Sequence, residues 1–150
     1  MSKERRKIPF KLVAVSTEEF ATIEANYPKE LNPKLEIALD VRFRINPDNP
    51  GVGCYVKNTF THQDDIVLLL ECACHFAIER NYWNEQIDGQ VITLSKSLLT
   101  HLIVLTVGTT RGVIHAKKPK WFKGILPTLN VSSILTEDVS FDLTKSDEEE

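Results

Sequence analysis

Between residues 35 and 45 the chain alternates strictly. Leu35, Ile37, Leu39, Val41, Phe43 and Ile45 hold the odd positions, with Glu36, Asp40, Arg42 and Arg44 among the even ones. A period of two over this length predicts a β-strand with one buried and one wet face. Asn46-Pro47-Asp48-Asn49-Pro50-Gly51 follows as a loop of turn formers. Further strands are predicted at 53–61 and 66–79, joined by His62-Gln63-Asp64-Asp65, and so short a connection makes them antiparallel. Residues 10–15 predict a short first strand. Ser16-Thr17-Glu18-Glu19 has the form of a capping box, which predicts a helix through Ala25 that Tyr27-Pro28 ends.

The second half changes period. Residues 81–89 read as a polar hinge whose Tyr82 and Trp83 either close the end of the core or anchor a partner's side chains. A helix is predicted from an N-cap at Ser95 to Lys117, with Pro119 beyond its end. Leu94, Leu98, Leu102 and Leu105 lie on one face, and Leu99, Ile103 and Val107 widen it. That stripe exceeds what one sheet covers, so Leu99, Ile103 and Val107 are assigned to a subunit interface. Gly108 and Gly112 lower the helicity nearby and predict a bend or a close contact. Strands followed by one long helix predict an α+β layer with the helix on the sheet's buried face.

After Gly124 comes Ile125-Leu126-Pro127-Thr128-Leu129-Asn130-Val131, an apolar tongue. Pro127 blocks helix there, so Ile125, Leu126, Leu129 and Val131 either pack inward or stay ready for another chain. A short final element is predicted within 131–141, and residues 142–150 form an acidic tail.

Composition narrows the function. The 150 residues are 42% apolar and 26% charged, the make-up of one globular domain. A net charge of −3 argues against general nucleic-acid binding, which depends on neutralising phosphates. The basic start at 3–7 belongs to a flexible arm over residues 1–9. It is not followed by the apolar block of a signal peptide. The run 98–107 is interrupted by Thr100, His101 and Thr106, and no membrane insertion is expected. Cys54, Cys72 and Cys74 read as reduced, buried thiols of a cytoplasmic protein.

Chemistry-bearing motifs are sparse. In Cys72-Ala73-Cys74-His75 a strand points both thiols one way and the imidazole the other, so the three cannot share a metal. His62, His75, His101 and His115 have no nucleophile elbow nearby, and Asp64-Asp65 belongs to a turn. Neither Gly51-Val52-Gly53 nor Gly108-Thr109-Thr110-Arg111-Gly112 is a phosphate loop. The reading is of a binding protein, not an enzyme, needing no metal, nucleotide or other cofactor.

At three segments the chain resembles the SecB family of protein-export chaperones. Phe10-Lys11-Leu12 through Thr17 to Asn26 resembles the family's first strand and its kinked continuation. Lys29-Glu30-Leu31-Asn32-Pro33 is similar to its pre-strand turn. Gly124-Ile125-Leu126-Pro127-Thr128-Leu129-Asn130-Val131 resembles the Gly-x-Phe-Pro-x-Leu-Asn-Leu motif after the family's main helix. Order and spacing agree over residues 10–138. The chain departs from the family at Thr106–Gly112, at Ser133-Ile134-Leu135-Thr136, and in its acidic tail, the segment with which relatives engage the SecA motor.

The resemblance implies a four-stranded antiparallel sheet with a long C-terminal helix on one face, a SecB-like domain over 10–141. It also implies an irregular strand in place of the helix at 17–25. It implies a cytoplasmic homotetramer, a dimer of dimers, whose apolar grooves hold unfolded polypeptides for export without ATP, with SecA as a further partner. Leu31, Phe76, Leu126 and Leu129 take groove positions, beside Tyr82, Trp83 and Ile125. The alternatives are a SecB-like chaperone or scaffold dedicated to one partner, such as an antitoxin, and a hot-dog-type thioesterase. The thioesterase fold places its helix before most of its strands, unlike this chain.

Overall fold

The computed structural model describes residues 9–30, 33–127 and 131–144. Leu31, Leu129 and the tail from Lys145 lie outside the described residues. The chain runs β1 (Phe10–Thr22), β2 (Glu36–Asn46), β3 (Gly51–His62), β4 (Asp65–Ile78), α1 (Arg80–Glu85), β5 (Ile87–Asp88), β6 (Val91–Leu94), α2 (Lys96–Lys117) and β7 (Val139–Asp142). The main sheet is antiparallel in the order β1-β4-β3-β2. The fold is α+β with this four-stranded sheet and the C-terminal helix α2. A second, small sheet, β5-β6-β7, was not anticipated from the sequence. Its strands are only two to four residues long, too short for a period to register.

The capping-box expectation at Ser16 fails. Residues 10–22 form one strand, because tertiary pairing along β4 supplies all of them except Val13 and Glu18 with ladder partners that a short local helix cannot match. The strand is irregular, as the family resemblance implied: its register slips between Leu12 and Ala14 and again between Thr17 and Glu19. Each slip is a bulge that shifts the side-chain alternation by one. Leu12, Val15, Thr17 and Phe20 therefore all lie opposite Phe76, Cys74, Cys72 and Leu70, on the same face of the sheet.

That face carries the core. Val52, Cys54, Val56 and Phe60 of β3 and Leu68, Leu70, Cys72, Cys74 and Phe76 of β4 are buried beneath α2. The odd positions of β2 are half-buried and pack against the same cluster, as the alternation predicted. The hairpin between β3 and β4 turns through Gln63 and Asp64, both with positive φ (50° and 70°), as a two-residue hairpin loop requires.

Helix α2 begins where Ser95 predicted: its hydroxyl accepts the Leu98 N–H at 3.1 Å. Leu98, Leu99, Leu102, Ile103, Thr106, Val107, Thr110 and Ile114 form its buried face. Leu99, Ile103 and Val107, assigned from the sequence to a subunit interface, thus belong to the subunit's own core, and that assignment is corrected. The periodicity located the apolar face, but only the crossing of α2 over β3 and β4 decides which part of it the sheet covers. Thr106 and Thr110 are fully buried, and each donates to the carbonyl one turn back, Leu102 O and Thr106 O, both at 2.8 Å. By length and mean hydropathy (1.4) α2 is long and apolar enough to span a bilayer, a test that core helices also pass.

Candidate functional site

The order of strands leaves β1 at an edge, and α2 sits over β3 and β4, not over β1. The helix-facing side of β1 is therefore open. Leu12, Val13, Val15 and Phe20 are all exposed there or on the bulge. Two contacts fix how the strand lies beside the helix: Phe10 meets His101 at 5.4 Å between rings, and Phe20 meets Lys117 Nζ at 5.8 Å. β1 and α2 thus run side by side in the same direction, over roughly 30 Å by strand rise.

The outward face of α2 is open as well. His101, Val104, Leu105, Gly108, Gly112 and His115 are exposed along one stripe. Val104 and Leu105 are two of the larger exposed aliphatics of the molecule, and a Cβ added at either glycine would touch nothing. A contiguous surface of this kind is the mark of an interaction site.

A cavity lies at each end. The first, about 640 Å³, opens between the start of β1, α1 and the start of α2, with Phe10, Tyr82, Leu98 and His101 among its walls and Glu79 and Glu85 at its rim. The second, about 500 Å³, lies between α2 and the tongue, walled by Gly108, Gly112, Ile114, Ile125 and Leu126. Both are within the size range of ligand-holding pockets.

The tongue is held in place by its backbone. Arg111 donates from Nε to Leu126 O and from Nη2 to Pro127 O, both at 3.1 Å. Lys123 N–H donates to the Tyr27 hydroxyl at 3.1 Å, and Tyr27 in turn packs against Trp121 and Phe122. Phe122 is buried edge-on to Phe60, at 5.2 Å. Gly124 lies so close to that ring that a Cβ there would come within 2.5 Å of Phe122 Cζ. The tongue splits in consequence: Leu126 is 1% exposed and Ile125 is 71% exposed. One residue anchors the segment, and its neighbour stands in solvent.

The sequence-derived site residues fall into three groups. Tyr82, Ile125 and Leu126 line the two cavities. Phe76 and Trp83 do not reach the surface: both are 2% exposed, Phe76 beneath α2 and behind Phe10, Trp83 within α1's buried side. A place in direct client contact is withdrawn for both; Trp83 closes the end of the core. Leu31 and Leu129 lie outside the described residues. Sequence reading missed Leu12, Val13, Val15, Phe20, Val104 and Leu105. For Leu12, Val13, Val15 and Phe20 the signal was the excess of apolar residues in β1 over what an edge strand buries, hidden by the two bulges.

The three thiols take no part in this surface. Cys54, Cys72 and Cys74 are free, fully buried and face α2, while His75 lies on the opposite side of the sheet. Burial pushes the Cys54 thiol up to about 12, against the pull of the Thr106 hydroxyl beside it. Burial likewise raises Cys72, partly offset by Thr17. Such thiols are poor nucleophiles at neutral pH. No protein-family model matches the chain, and no curated protein matches it in sequence.

Proposed function

We propose that the protein is an ATP-independent holdase of the SecB type, binding unfolded or nascent polypeptides along the open face of α2. The observation that carries this reading is the set of exposed apolar side chains on edge strand β1 and on α2, with one cavity beside the start of α2 and another between its second half and the tongue. An unfolded chain supplies apolar side chains at intervals, and fully burying each one contributes about 1.5–3 kcal/mol. Folded proteins expose few such groups, which gives selectivity for the unfolded state and protects it by mass action.

Self-association belongs to the same reading. Among the described residues β1 has no strand paired on its outer edge, where Leu12, Val13 and Val15 are exposed, a template for pairing with a second copy. The Gly108 and Gly112 stripe of α2 favours close helix approach. A homo-oligomer would present several such surfaces to one client and raise its avidity, by about 10²–10⁴-fold where the client spans them.

The test is light scattering from a thermally unfolding client enzyme with the purified chain added at one oligomer per client. Suppression of aggregation without ATP is expected, with a particle larger than the monomer by multi-angle scattering. Undiminished aggregation refutes the holdase reading, and a strict monomer refutes the assembly. A chaperone dedicated to one partner would suppress aggregation of that partner alone.

A further inference from the structure

The two cavities beside α2 differ in charge. Glu79 and Glu85 stand at the rim of the first, and among the described residues no lysine or arginine lines it. Arg111 and Lys118 line the second, and among the described residues no aspartate or glutamate does. We propose that the surface between them selects its clients by charge. It binds best an apolar polypeptide segment with a basic side chain toward the first cavity and an acidic side chain toward the second. This rests on the holdase reading and adds a client class to it.

One stripe of α2 joins the two ends. His101 is a wall of the first cavity, while Gly108, Gly112 and His115 are walls of the second, and all four are exposed. Their spacing in the sequence keeps them on one face of the helix. Val104 and Leu105 are exposed beside that stripe, between the cavities. From His101 to His115 the helix rises about 21 Å, which about six residues of extended chain cover. A client with aliphatic residues in its middle and charges at that separation reaches both ends at once.

The charges are available to a client. Among the described residues the side chains of Glu79, Glu85 and Lys118 make no ion pair or hydrogen bond. Arg111 donates to the carbonyls of Leu126 and Pro127, which neutralises none of its charge. The walls are fixed as well: Glu79 N–H donates to Pro9 O at 2.8 Å and closes the start of β1 onto the end of β4. Phe10 and Tyr82 offer aromatic surface to a lysine or arginine stem in the first cavity. Ile114, Ile125 and Leu126 offer aliphatic surface to a glutamate stem in the second.

The macrodipole of α2 opposes both placements, but weakly. It amounts to about half a positive charge at the start of the helix and half a negative charge at its end. Each cavity carries two full side-chain charges of the opposite sign, which outweigh it. Capping of α2 does not account for the acids, because its first turn contains none; Glu79 follows β4, and Glu85 ends α1. Complementarity of this kind selects among partners more than it adds affinity.

The test measures fluorescence anisotropy of four labelled peptides with the full chain. They share one aliphatic middle and end in a lysine and a glutamate, two lysines, two glutamates or two serines. The lysine–glutamate peptide is made in both sequence orders, and the tighter is taken. It should bind about fivefold tighter or more than the serine peptide, an advantage lost in about 1 M salt. Those two peptides have equal net charge, so the protein's net charge of −3 cannot produce the difference. Glu79→Gln/Glu85→Gln and Lys118→Gln should each lower that affinity ratio about twofold or more. Circular dichroism verifies each variant's fold, and if one fails to fold the other decides. Equal affinity for the two neutral peptides, tightest binding of the two-lysine peptide, or an unchanged ratio in a folded variant overturns the charge selection and leaves the holdase reading standing. Failure of every peptide to bind, with client aggregation undiminished, overturns both.

Discussion

Ile125 and Leu126 are adjacent aliphatics with opposite exposures, so exchanging each separates client binding from stability. Ile125 keeps 71% of its surface in water. Covering that remainder with a client side chain is worth about 1–2 kcal/mol, taken as the exposed share of a full aliphatic burial. Ile125→Ser should therefore weaken binding of a permanently unfolded, reduced and alkylated polypeptide by about 5–30-fold per binding surface. It should change the urea midpoint little, because the folded state buries so little of this side chain. Leu126 is the reverse: at 1% exposure, with its carbonyl gripped by Arg111, it anchors the tongue to the core. Leu126→Ala should lower the unfolding free energy by about 2–5 kcal/mol. Fluorescence anisotropy of a labelled client and urea melts monitored by tryptophan emission read the two effects. If Ile125→Ser binds clients within twofold of the parent, the tongue is not part of the binding surface and the argument fails.

Other substitutions probe the frame that holds this surface. Asn58 is fully buried on β3, and among the described residues neither its Oδ1 nor its Nδ2 has a hydrogen-bond partner. Asn58→Leu should raise stability by about 1–3 kcal/mol in urea melts, since it removes an unpaired buried amide; a loss of stability would mean that a buried water satisfies the group. The Cys54 thiol titrates near 9.0 when unfolded and about 12 when folded, so the folded state retains its proton where the unfolded state loses it. Its contribution is complete below pH 9 and lost as pH rises toward 12. Stability should fall over that window, less steeply in Cys54→Ala, and a parallel slope for parent and variant would count against the buried-thiol assignment. A Cβ at Gly112 meets nothing within the subunit. Gly112→Ala should add about 0.5–1 kcal/mol to the stability of the monomer by helix propensity, measured below the assembly concentration. A destabilised monomer would show that the helix needs this glycine for its own conformation.

Much of the frame was determined by local pattern. The alternation at 35–45, the brief join between β3 and β4, and the cap at Ser95 are short-range signals, and each element formed where they pointed. Pro127 marked a segment that cannot be helical, and the cysteines' strand spacing placed them on one face with His75 on the other. What only the tertiary structure decided concerns which face of each element is covered. The bulges at Val13 and Glu18 turn Leu12, Val15 and Phe20 to one side, and no period in the sequence encodes a slipped register. The seat of α2 over β3 and β4 buries Leu99, Ile103 and Val107 and leaves Val104 and Leu105 outside, although all five are equally apolar. A cleft on the sheet's outer face joins β1, β2, β3 and β4 across positions as distant as Val13 and His75. A sequence specifies how apolar each residue is, but exposure depends on what lies above it, and that is settled only when the elements pack.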